Sequence, residues 1–212
     1  MKKTRAQLAE QHKLFRYSLE NESDRGCALM VSSFLDEAMK ELLEQCLVDD
    51  SKIAGSLFDG NGPLSTFSAR INLAFGLGLI SRNSNRDLHL LRAIRNEFGH
   101  VYEPINFETP SIGSRIRELQ THTRPLTSSN RQIFTNCASY LMALINAEYL
   151  KHEGPEVKRE TMTKQKKEEI QKAVETKVAS VRSLPAALSQ KIFAGEVSDE
   201  EVDTLLDAQA NE

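Results

Sequence analysis

Arg95, Asn96 and His100 form an R-N-x-x-x-H cluster near the end of a segment whose other residues are periodically apolar. On a helix, residues four apart share a face, so Arg92, Asn96 and His100 fall in one row, with Arg95 one residue off it. A cation, an amide and an imidazole brought to one spot could hold a phosphate and move a proton near neutral pH. The structural alternative is that Arg95 and His100 close a helix C-terminus, where cations are favoured, and bond to nearby loops. Spacing leaves both readings open.

A second group precedes it. Arg82, Asn83, Asn85, Arg86 and His89 are side-chain types that read bases and phosphates. With Arg92 they make Arg82, Arg86 and Arg92 the candidate nucleic-acid contacts, DNA or RNA. The connector before them runs to about eight residues, against the three or four of a DNA-binding helix-turn-helix, so two packed helices with a polar start are the simpler reading. The five histidines show no H-E-x-x-H or related spacing, and no Walker loop is present. Gly76-Leu77-Gly78 lacks the third glycine and the preceding strand of a dinucleotide site. We therefore expect no metal and no cofactor.

The elements that position these residues are helical. Aromatic residues make up 6% of the 212 residues, Trp is absent and strand-type runs are missing. A net charge of -3 argues against bulk electrostatic capture of DNA while leaving room for a local basic patch. Cys27, Cys46 and Cys137 are odd in number and widely spaced, which fits reduced thiols and a cytoplasmic setting. The basic start MKKTR has no apolar run behind it, and the apolar stretch around Leu77 to Ile80 is too short to span a bilayer, so no membrane association is expected.

Residues 4–22 read as an amphipathic helix with Leu8, Leu14, Phe15 and Leu19 as its stripe. Asp24 can cap a helix over about 25–48 whose core face is Cys27, Val31, Phe34, Leu35, Ala38, Leu42 and Cys46. A loop with room for one short helical turn covers 49–62, and Pro63 suits the first turn of a helix over 63–75. Gly76 and Gly78 end that helix, with Leu77, Leu79 and Ile80 plugging the turn into the core. Ser84 and Asp87 resemble a capping box for a helix over 84–98 that ends at Gly99. Thr109-Pro110 opens a helix to about 120, and 128–151 is a long apolar helix that includes Tyr140 and Leu144. From Gly154-Pro155 the composition turns to Lys and Glu with a thin Ile170, Val174, Val178, Val181 seam, interrupted at Pro185. Ser198 and Glu201 then box a last short helix.

The blocks Asp59-Gly60-Asn61-Gly62-Pro63-Leu64, Arg70-Ile71, Phe75-Gly76-Leu77-Gly78-Leu79-Ile80 and Leu91 to Glu97 ending in His100 resemble the mannitol operon repressor (MtlR) family over roughly residues 25–150. The resemblance implies an all-helical bundle, a bacterial cytoplasmic setting and a part in transcriptional control without a recognisable DNA-binding module. The Arg95–His100 segment also resembles the R-x4-6-H signature of HEPN-type ribonucleases. That resemblance implies metal-free cleavage across a dimer interface, with His100 as base or acid, Arg95 steadying the phosphorane and Asn96 orienting both.

The expected architecture is all-α: a single bundle of about six helices over 1–153, with a charged C-terminal helical appendage over 154–212. The expected function is that of an MtlR-like repressor or co-regulator, homodimeric, acting through protein or nucleic-acid contacts, with the appendage available to a protein partner. The alternative is a metal-independent endoribonuclease that uses Arg95, Asn96 and His100.

Overall fold

Apolar residues recur at intervals of three and four through most of the chain, and where they do the backbone is helical. The computed structural model describes residues 2–100, 102–125, 127–158 and 162–210. Every regular element among them is an α-helix. In order these are α1 (Arg5–Glu20), α2 (Asp24–Glu44), α3 (Ser51–Phe58), α4 (Phe67–Gly76), α5 (Arg82–His100), α6 (Pro110–Arg117), α7 (Asn130–Tyr149), α8 (Lys164–Ser183), α9 (Ala186–Phe193) and α10 (Asp199–Ala210). Contacts divide the chain into two units, Met1–Val157 and Lys158–Glu212.

In the first unit α2 is the central element. It packs against α1, α4, α5 and α7. Cys27, Val31, Leu35, Ala38, Met39, Leu42 and Leu43 are each at most 2% exposed. Helix α5 turns Leu88, Leu91, Ile94 and Phe98 into the same core. Phe98, Phe107 and Phe134 stack in series, the first pair edge-on at 5.4 Å and the second tilted at 4.7 Å. The loop after α5 is thereby fastened to α7 through Phe107.

Several local expectations shift. The segment expected as loop over 49–62 contains a full helix, α3, capped by the Asp50 carboxylate on the N–H groups of Lys52 and Ile53. Helix α4 starts at Phe67 rather than Pro63, because the Thr66 hydroxyl accepts from Ala69 N–H and sets the N-terminus there. Helix α5 starts at Arg82 and runs through Gly99 to His100; Ser81, not Ser84, takes the cap bond at 3.1 Å. Ser23 rather than Asp24 caps α2. Thr109 makes no side-chain cap bond to α6; its hydroxyl accepts from Asn106 N–H instead. Leu14, Leu77, Tyr140 and Leu144, expected to face inward, are exposed. The chain turns after α4 at Gly78 (φ +74°), and Leu77 lies on its outer side.

Asp24 and Asp87, both expected as caps, fasten distant segments. Asp24 accepts from Phe107 N–H at 2.9 Å and from Arg131 at 2.5 Å; Arg131 also donates to the carbonyls of Leu19 and Glu22. Asp87 is fully buried and accepts from the N–H groups of Gln120 at 2.9 Å and Thr121 at 2.6 Å. It holds the chain after α6 against α5.

In the second unit α8 packs on α9, and Lys177 pairs with Asp203 of α10 at 2.7 Å. The Ser198–Glu201 capping box is formed. Within the lysine-rich segment α8 starts at Lys164; residues 159–161, and 211–212 at the end, lie outside the described residues. Pro185 interrupts the run, and the stretch after it forms a further helix, α9.

The buried groups have two measurable consequences. Asp87→Ala leaves two backbone N–H groups without their acceptor and should lower unfolding stability by about 2–3 kcal/mol, read by urea denaturation. Burial pushes the Cys27 thiol up to about 11 and also raises Cys137 and Cys46. Cys27 and Cys137 are fully enclosed while Cys46 is partly exposed. A thiol reagent at pH 8 should therefore label Cys46 alone in the folded protein, slowly, and all three after unfolding.

Candidate functional site

Helix α5 carries every residue singled out for chemistry. The Ser81 cap fixes its start, the inward Leu88, Leu91, Ile94 and Phe98 fix its rotation, and its other side then presents Arg92, Arg95 and Asn96 to a groove. That groove encloses about 340 Å³ between α2, the N-terminus of α4 and α5. Helix α2 contributes Ser32, Ser33 and Asp36, while Thr66, Phe67 and Ser68 come from the start of α4.

The electrostatics of the groove are mixed by element. Asp36 pairs with Arg70 at 2.8 Å; burial raises its carboxyl above the ordinary range, opposed by Arg70. Arg70 is 7% exposed, donates through Nε to the Leu64 carbonyl at 2.8 Å and stacks over Phe58 at 5.6 Å. Arg95 donates to the Asn96 amide oxygen at 3.2 Å. Arg92 makes no hydrogen bond or ion pair among the described residues, and its Nε is buried without an acceptor. Burial, and then the Arg92 charge, hold His89 below the ordinary imidazole range.

His100 is exposed at the last residue of α5 and does not line the groove. It makes no hydrogen bond or ion pair among the described residues. Arg95 and Asn96 are thus together, with Arg92 beside them, and His100 stands apart. The nucleic-acid candidates also separate. Arg82 stacks over Phe75 at 5.5 Å. Arg86 donates to the Glu118 carbonyl at 2.7 Å and its carboxylate at 2.9 Å. Two of the three arginines are engaged within the chain, and the third lines the groove. The connector between α4 and α5 is residues 77–81.

Sequence reading did not find the α2 and α4 contributions. The available signal was Thr66 followed by a helical run, a cap position obscured by the stronger Gly62-Pro63 start signal just before it. No group of metal-ligating side chains occurs among the described residues. Nor does any described helix have the length and apolarity to cross a membrane.

The fold and this site define an all-helical bundle that presents an arginine-lined groove. The mannitol repressor (MtlR) family model matches residues 16–178, and the chain belongs to that family. Similar proteins include the mannitol operon repressors of Escherichia coli K12 and of Escherichia coli O6:H1, each 48% identical over 44 residues, 21% of this chain. That match spans 23% of the length of these relatives. Among solved structures, a chain of the X-ray structure of the MtlR-HPr complex from Escherichia coli is similar with a TM-score of 0.55. It is 23% identical, and the match covers 64% of this chain and 98% of that one. At that identity the likeness speaks for the fold.

The placement of His100 outside the groove predicts that the purified protein, incubated with total RNA in EDTA, releases no 2′,3′-cyclic phosphate ends. His100→Ala should leave the thermal midpoint essentially unchanged. Metal-free cleavage lost in both His100→Ala and Arg95→Ala would instead establish the ribonuclease reading.

Proposed function

We propose that this chain is a transcriptional regulator of the MtlR type that acts through protein contact, with an HPr-type protein as its partner. The family match over residues 16–178 carries the reading. The similar solved structure is a complex of MtlR with HPr, which supports the choice of partner. Charge supports contact with protein rather than capture of DNA: the chain has a net charge of -3, and Arg82 and Arg86 are engaged within it. Within this reading the protein works as a homodimer in the bacterial cytoplasm. The bundle over 1–153 carries the family core, and the appendage over 154–212 offers a second docking surface.

Titration calorimetry of the full chain with HPr from the same host should give a saturable heat. The protein alone should shift operator DNA only weakly at physiological salt. Absence of any HPr heat, or tight operator-specific binding by the lone protein, overturns the proposal.

A further inference from the structure

The groove between α2, α4 and α5 has more donors than its own residues can satisfy. Arg92 lines the groove and makes no hydrogen bond or ion pair among the described residues. A guanidinium without an acidic partner favours an incoming anion that accepts several hydrogen bonds from it. Arg95 adds a second guanidinium, and Asn96, whose amide oxygen already accepts from Arg95, has its NH2 left to donate. Across the groove stands the N-terminus of α4. The Thr66 hydroxyl satisfies Ala69 N–H, while helical geometry leaves the N–H groups of Phe67 and Ser68 without intrahelical acceptors. Thr66, Phe67 and Ser68 at that helix start line the same groove as the arginines, and a helix N-terminus favours an anion. Asp36 is the one acid on the groove wall among the described residues, and Arg70 neutralises it at 2.8 Å.

We propose that this groove binds a phosphate monoester. Two arginines, an amide NH2 and two backbone N–H groups approach from two elements, which suits a tetrahedral oxyanion with three terminal oxygens better than a planar carboxylate. The volume of about 340 Å³ leaves room beyond the phosphoryl group for a small organic moiety such as a sugar. The site lies wholly within the first unit and is independent of the regulatory reading.

The test uses the full chain and two probes, inorganic phosphate and glucose 6-phosphate, in calorimetry at matched ionic strength, with sodium chloride as the screening control. Phosphate should bind saturably. Arg92→Gln and Arg95→Gln should each weaken it about tenfold or more, and Lys13→Gln on α1 should leave it unchanged. Amide resonances of Phe67 and Ser68 should move on titration in the wild type and stay fixed in Arg92→Gln. Glucose 6-phosphate binding at least as tightly as inorganic phosphate upholds the monoester assignment, and inorganic phosphate binding while the ester is excluded overturns it. If Arg92→Gln fails to fold, the exposed Arg95 carries the test alone. No saturable heat with either probe, a response that chloride reproduces, or full binding by a folded Arg95→Gln overturns the proposal.

Discussion

The first unit depends on the burial of α2. Its apolar residues are enclosed nearly all along its length, and four helices pack on it. Each fully buried aliphatic or thioether side chain of that kind contributes about 1.5–3 kcal/mol from removal of apolar surface. The opposite side of α2 is polar, with Asp36 on Arg70 and Glu41 on Lys3, and its start is a further anchoring point. Asp24 sits in the first turn, where the helix dipole favours a carboxylate. From there it takes both Phe107 N–H and Arg131, tying the loop after α5 and the start of α7 to α2. Asp87 does the same from α5 for the chain after α6.

The residues that carry the family likeness are, in this structure, mainly parts of a joint. The chain passes so close to α3 at Gly62 that a Cβ there would lie 2.4 Å from the Leu57 carbonyl oxygen. Leu64 N–H then donates to that same carbonyl at 2.8 Å. Arg70 closes the joint by binding the Leu64 carbonyl and Asp36 together. A match in these blocks therefore reports fold well while saying little about chemistry. The joint also bears on the groove, because Arg70 takes the ion pair with Asp36, and Arg95 acts on that carboxylate only at longer range.

Within α5 two sets of arginines are thus separated by their surroundings. Arg82 and Arg86 direct their charge at Phe75 and Glu118, joining neighbouring segments. Arg92 and Arg95 face a cavity that ends on a helix N-terminus. Residues of one type on one helix therefore do different work, and what each one meets across the gap decides which.

The helical class and the core faces of α2 and α5 were legible in the residues, because each rests on local periodicity or on composition. Val31, Leu35 and Leu42, and Leu88, Leu91 and Ile94, recur at helical spacing and are buried. The shared face of Arg92 and Asn96 was legible for the same reason, since four-apart positions are fixed by the helix itself, while His100 on the same row lies beyond the groove. Tertiary structure decided the rest. Only packing could show that Asp24 and Asp87 reach across the chain, that Arg86 is occupied by Glu118 and that Tyr140 and Leu144 stay outside. Only packing could bring the N-terminus of α4 opposite Arg92. A polar side chain chooses its partner by through-space distance, and sequence separation carries almost no information about that distance once helices fold back on one another.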